Sequence, residues 1–265
     1  MSFVNMGGYQ DIEEYQRVFR ENSSRWDYLI SQNEYSTEIF RRAFAFDKKI
    51  LEIGYPRNDV LINNNNSIFI KDIKDRLGIP LDKKVILYAP TWRDNQYHMD
   101  GKYKFSMGLN IQEVLDELGE EYILLLKPHY LVTDKIDIIG YEKQIFIFDV
   151  QQDIQELYLI TDILITDYSS VMFDYSLLKR PIIFFTYDLK QYKEEIREFY
   201  FDIFADPPGK IVLNNEQLVQ AIKSVNIDYL NYKNNYQKFS ETYNSKDDGK
   251  ASKKVVELIE TLSQN

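Results

Sequence analysis

Four short, almost uninterrupted apolar runs, at 85–89, 122–127, 163–166 and 181–185, limit what this chain can fold into. Runs of that length without polar alternation belong to strands buried on both faces, and such strands occur in parallel sheets covered by helices. Further strand candidates at 28–31, 50–53 and 145–149 extend the series. Helical patterns fall between them at 34–44, 68–77, 111–118, 154–159 and 170–178, and two more follow near 215–224 and 250–262. Strand and helix in alternation predict an α/β fold, a Rossmann-like parallel sheet with helices on both faces. A boundary is expected around the run of four Asn residues and the breaker cluster Gly78-Ile79-Pro80. It divides the chain into the tail of one α/β domain (1–62), a linker helix (63–82), a complete Rossmann-like domain (83–248) and a C-terminal helix (249–265).

Composition narrows the function classes. A net charge of −10 leaves no general basic surface for nucleic acid or for an anionic membrane. Any polyanion must therefore be held in a local pocket. No apolar run reaches the ~18 residues of a membrane span, and the first residues lack the pattern of a secretory signal. With no cysteine there is neither a disulfide framework nor a thiolate metal site. The chain also lacks a GxxxxGK[ST] loop, a GxGxxG fingerprint, an HExxH motif and an Asp-x-Asp pair beside a strand, so no metal or cofactor is implied.

Three segments follow strands and carry polar groups where an open parallel sheet binds ligands, beyond the carboxyl ends of its strands. In Ile163-Leu-Ile-Thr-Asp-Tyr-Ser-Ser-Val-Met-Phe-Asp174 a strand passes through a polar turn into a helix. Asp167 lies in the turn. Ser169 and Ser170 stand where free N–H groups and hydroxyls meet an anion, or where they merely cap the helix. Asp174, one turn further, is placed to accept from ribose hydroxyls or to face solvent. In Tyr88-Ala-Pro-Thr-Trp-Arg93, Arg93 has the fork geometry for a phosphate and Thr91 a further donor, although a surface ion pair is the plainer role for the arginine. In Leu126-Lys-Pro-His129, the histidine is a candidate general acid, general base or phosphate partner, or else a structural residue. The other histidine, His98, sits among Asp94, Asn95 and Asp100 with no evident task. Smaller signals are Gly54-Tyr-Pro-Arg-Asn-Asp59, Asp153 before a helix, and Asp248-Gly-Lys-Ala-Ser252 at the start of the last helix.

Taken in order, GYPRND (54–59), YAPTWR (88–93), KPH (127–129), LITDYSSVMFDY (164–175), KRPIIFF (179–185), FYFD (199–202), PPG (207–209) and DGKAS (248–252) resemble the CDP-glycerol:poly(glycerophosphate) glycerophosphotransferase family. The resemblance implies a GT-B type fold, with 1–62 on the acceptor side and CDP-glycerol held by 83–248. It implies that His129, Arg93, Thr91, Ser169 and Ser170 hold the pyrophosphate, with Asp167 in the same site and Asp174 on the ribose. The implied partner is a lipid-linked glycerol phosphate polymer, met at the cytoplasmic, inner face of the cell membrane. Any peripheral membrane attachment would then rest on parts outside this chain. Two departures stand out. The family's upstream His-Gly-Thr-Pro element, whose His is its implied general base, does not occur here, and Glu198 replaces the Gly before Phe-Tyr-Phe-Asp. Loss of a general base costs about 10²–10⁴-fold in rate, so the expectation is a C-terminal portion that keeps the donor site. CDP-ribitol transferases, other GT-B nucleotide-sugar enzymes and a non-catalytic nucleotide-binding module share these features and stay open.

Overall fold

The computed structural model describes residues 12–91, 108–127, 138–149, 151–191 and 205–264. Arg93, His98, His129 and Glu198, together with FYFD, lie outside the described residues. The chain opens with α1 (Ile12–Ser24), β1 (Tyr28–Ser31), α2 (Glu34–Ala43) and β2 (Lys49–Glu52). The two strands pair in parallel, Tyr28 opposite Lys49 and Ser31 opposite Glu52. A single 3-10 turn (Pro56–Asn58) and the short α3 (Asp59–Asn63) then lead into α4 (Ser67–Leu77).

The larger sheet is built from β3 (Lys84–Tyr88), α5 (Ile111–Leu118), β4 (Tyr122–Leu126), β5 (Ile145–Ile147), α6 (Ile154–Ile160), β6 (Ile163–Thr166), α7 (Val171–Ser176), β7 (Ile182–Phe185), the short α8 (Leu189–Gln191) and β8 (Lys210–Val212). Helices α9 (Asn215–Lys223), α10 (Val225–Asn231), α11 (Lys233–Tyr243) and α12 (Ala251–Ser263) complete the chain. All six strands are parallel in the order β5-β4-β3-β6-β7-β8. From β3 the chain moves outward through β4 and β5, then returns to the other side of β3 with β6. The order therefore reverses between β3 and β6, the point at which doubly wound sheets open a ligand crevice.

Side-chain alternation divides the core into two layers. Val85, Leu87 and Ala89 of the β3 segment face α3, α4, α6, α7 and α11, whereas Ile86 and Tyr88 face α5 and α9. Every residue of β4, β6 and β7 is buried, which is why their sequences read as unbroken apolar runs. Helix starts follow the local polar residues. Asn66, Asn110, Asp153 and Asn214 each accept a backbone N–H from the first turn of α4, α5, α6 and α9. Gly78, at φ +70°, ends α4. The segment expected as a linker, 63–82, carries α4, which packs on α6 with Ile73 fully buried in the first core layer.

Candidate functional site

The two loops at the switch point are tied to each other. Tyr88 lies opposite Ile165 in the ladder, and the Ala89 N–H continues it by donating to the Ile165 carbonyl at 3.0 Å. Thr166 Oγ1 donates back to the Ala89 carbonyl at 2.8 Å. Asp167, only 1% exposed, places Oδ1 between the N–H groups of Thr91 (2.7 Å) and Tyr168 (2.6 Å). Two N–H groups on one carboxylate oxygen make Asp167 the staple between the β3 and β6 loops, a task that spacing alone did not reveal. It holds Thr91 beside the turn carrying Ser169 and Ser170.

Those serines are differently placed. Ser169 is half-buried, with Oγ 3.5 Å from the Val171 N–H, while Ser170 is exposed and makes no side-chain capping bond. Their own carbonyls are used, accepting from Met172 (3.3 Å) and Phe173 (3.1 Å). The Ser170 hydroxyl is thus available at the open end of the switch point. At the end of β4, the Lys127 ammonium donates to the Asp149 carbonyl and, at 3.0 Å, to that of Gln152. Burial lowers its pKa, against the opposing pull of Asp149 and Asp153.

Asp174 does not stand open to a ligand. Its side chain is buried, and both oxygens are taken: Oδ2 by Arg57 Nε (2.9 Å), Oδ1 by Arg57 Nη2 (3.2 Å) and by Asn58 Nδ2 (3.2 Å). The arginine and the asparagine come from GYPRND, the turn after β2. The same Asn58 Nδ2 reaches Asp247 Oδ1 at 3.3 Å, and that oxygen also accepts the Tyr55 N–H at 3.0 Å. Gln32 Nε2 completes the cluster on Asp247 Oδ2 at 2.6 Å. Burial raises the Asp247 pKa, with its three hydrogen bonds pulling the other way and the Asp174 charge adding to the rise. Arg57 loses solvation too, but the Asp174 carboxylate more than compensates and its pKa is raised.

This junction joins three parts of the chain: the carboxyl ends of β1 and β2, helix α7, and the turn from Tyr243 to Ser252. Asn33 Nδ2 donates to the Tyr243 carbonyl at 2.5 Å, and Asn244 Nδ2 donates to Ser176 Oγ at 2.6 Å. Asp59 accepts the N–H groups of Ala251 and Ser252 at 3.0 and 2.7 Å, capping α12 from 192 and 193 residues away. Gly54 and Gly249 sit at φ +82° and +75° where a Cβ would strike Lys246 and Asp247, or Asn63. GYPRND and DGKAS are therefore two halves of one contact. Sequence reasoning had noted both and paired neither; the signal was their polar richness beside strand and helix ends.

A parallel sheet in this strand order, with a second parallel unit docked against its carboxyl side, defines a GT-B type fold. The comparisons with known proteins give the family. The chain belongs to the CDP-Glycerol:Poly(glycerophosphate) glycerophosphotransferase family, whose sequence profile matches residues 2–261. It is 48% identical over 261 residues to the teichoic acid poly(glycerol phosphate) polymerase of Bacillus spizizenii, covering 98% of this chain and 65% of that one. It is 46% identical over 263 residues to the teichoic acid glycerol-phosphate transferase of Staphylococcus aureus, covering 98% and 66%. The teichoic acid poly(ribitol-phosphate) polymerase of Bacillus spizizenii is more distant, at 34% over 243 residues, covering 90% and 38%. Among solved structures, the wall teichoic acid polymerase TagF superposes with a TM-score of 0.90 at 45% identity, covering 98% of this chain and 64% of that one. A variant of the same polymerase soaked with CDPG superposes at 0.88, with 43% identity and coverage of 98% and 63%. The chain thus spans less than two thirds of the length of these relatives.

Proposed function

We propose that this chain binds CDP-glycerol and serves the transfer of glycerol phosphate to the hydroxyl end of a lipid-linked glycerol phosphate polymer, with release of CMP, in teichoic acid synthesis. The observation that carries the reading is the switch point. Its Ser169–Ser170 turn and Thr91 loop are held together by Asp167, in a family whose relatives are named for glycerol phosphate transfer. The pyrophosphate lies against Thr91, Ser169 and Ser170; Arg93 and His129, which the family resemblance adds, lie outside the described residues. The acceptor hydroxyl oxygen attacks the β-phosphorus. The bond from that phosphorus to the bridging oxygen breaks, and CMP leaves with the bridging oxygen, while the hydroxyl proton passes to a base. Such a displacement depends mainly on positioning and on stabilising charge, which fixed N–H and hydroxyl donors supply without reorganisation. The site works at the inner face of the cell membrane because its acceptor is lipid-linked. Among the described residues no helix is long and apolar enough to cross a membrane.

Glycerol is preferred to ribitol on the identities, 48% against 34%. The test is transfer from labelled CDP-glycerol and, separately, CDP-ribitol to a short glycerol phosphate acceptor, following CMP release and product length. Elongation with CDP-glycerol supports the reading. Turnover confined to CDP-ribitol or to a UDP-sugar would replace it.

A further inference from the structure

The GYPRND arginine is left over from this account, and its geometry is that of an anchored ligand-binding cation. Arg57 gives Nε and Nη2 to Asp174, yet its side chain remains 56% exposed. The guanidinium carbon lies 4.3 Å from the centroid of the Tyr55 ring, so one face is stacked while one edge is clamped. Nη1 makes no hydrogen bond among the described residues. Three constraints thus hold a half-exposed arginine in one orientation and leave a pair of N–H groups pointing away from the clamp. Two other partly buried cations are spent differently. Lys127 donates to two carbonyls, and Arg180 Nη1 to the carbonyls of Leu159 (2.8 Å) and Thr161 (2.5 Å).

Position along α7 connects Arg57 to the pocket. Ser170 and Asp174 are four residues apart at the start of this helix, which puts them on one face with about 5–6 Å between Cβ atoms. The guanidinium held over Asp174 therefore lies one turn from the exposed Ser170 hydroxyl. The bidentate, stacked arrangement fixes the direction of the guanidinium, and arginine's planar fork suits phosphate oxygens.

We infer that Arg57 is a phosphate-binding residue of the site and that Asp174, with Tyr55, is its positioning partner instead of a ribose ligand. The inference rests on the proposed function for its substrate, and the chemistry recognised is a phosphate ester or diphosphate. Two sources carry it: the donor's diphosphate and the phosphodiesters of the polymer. Arg57 follows β2 and reaches Asp174 on α7, between the two parts of the chain.

The experiment is calorimetric titration of the full chain and its Arg57→Ala, Arg57→Lys and Asp174→Asn variants with CDP-glycerol, cytidine, inorganic pyrophosphate and a short glycerol phosphate oligomer. A hydrogen-bonded charge is worth roughly 10- to 100-fold in affinity. The expected result is a loss of that size in Arg57→Ala for at least one phosphate ligand, with cytidine unchanged. Arg57→Lys restores only part of it, because the fork is gone, and Asp174→Asn loses less than Arg57→Ala. Loss for CDP-glycerol and pyrophosphate assigns the residue to the donor, and loss for the oligomer alone assigns it to the acceptor. If wild type binds pyrophosphate but not CDP-glycerol, the donor reading falls while the Arg57 comparison stands. Unchanged affinity for every phosphate ligand in a folded Arg57→Lys or Arg57→Ala protein overturns the inference, as does a wild-type chain that binds none of them.

Discussion

The six-stranded sheet and the β1–β2 unit are both parallel, yet different forces hold them in place. In β4, β6 and β7 every residue is buried, and helices cover both faces. In β1 and β2 only Ser31 is buried; the rest are half-buried or exposed. Much of what fixes the small unit to the large one is polar: Gln32 and Asn58 on Asp247, Asn33 on the Tyr243 carbonyl, and Arg57 and Asn58 on Asp174, beside an aromatic contact of Tyr35 on Tyr243. Apolar burial is strong and tolerant of small shifts, whereas hydrogen bonds contribute through geometry and lose their value when an angle changes. The site draws on both. The large sheet holds the switch-point loops, and the polar junction sets where Arg57 stands relative to them.

The largest effect expected from breaking this contrast is in the core. Leu125→Ala removes a fully buried side chain from β4, and the cost should be about 2–5 kcal/mol in chemical denaturation. Leu51→Ala in β2, where the side chain is only half-buried, should cost well under half as much. Equal losses would mean that β1–β2 is held by apolar burial after all.

Next come two glycines with the same backbone requirement and different surroundings. Gly78→Ala meets nothing within 4 Å, so its cost is the left-handed backbone alone, about 1–2 kcal/mol. Gly54→Ala adds a Cβ 2.8 Å from the Lys246 carbonyl and 2.9 Å from Asp247 Oδ1, so the junction must open as well. Thermal unfolding of both variants measures the difference. If Gly54→Ala melts no lower than Gly78→Ala, the contact between GYPRND and the turn before α12 is loose and the polar-clamp account is wrong.

How much of this was readable in advance follows the same division. Strand β6 falls on the expected residues, and β4 and β7 within one, because complete burial writes itself into sequence as an apolar run. The last strand, β8, escaped notice, since Lys210–Val212 is a three-residue edge strand with one fully buried side chain. Helix α11 was missed for a related reason: Tyr236 and Phe239 supply its buried contacts within an otherwise polar, Asn-rich stretch. At the site, the polar turn after β6 announced itself through Ser169 and Ser170. The partner of Asp174 did not, because Arg57 lies 117 residues away and no local period links the two. Asp167 looked like a ligand residue for a similar reason. A carboxylate in a turn reads the same from sequence whether it faces a substrate or staples two backbones, and the staple shows only in the Thr91 N–H at 2.7 Å.

The smallest expected effect concerns pH and isolates the junction. Asp247 has its pKa raised above 3.8, chiefly by burial, with Asp174 close by, so the folded state holds its proton more tightly than the unfolded state. Its contribution to stability is therefore fully present below 3.8 and is lost as pH rises through the raised value. Asp247→Asn removes the titration. The amide also places an N–H against Gln32 Nε2, itself a donor at 2.6 Å from the carboxylate, and that clash lowers stability by an amount that does not depend on pH. The offset and the slope are consequently separable. Melting temperatures of wild type and variant, measured together from below 3.8 to neutral pH, should converge or cross in the variant's favour as pH rises, while carboxylates remote from Asp247 cancel in the difference. A constant gap across that range would mean that Asp247 is solvated in the folded protein. The three donors around it would then be an ordinary surface contact, leaving Asp174 as the buried carboxylate that organises the junction.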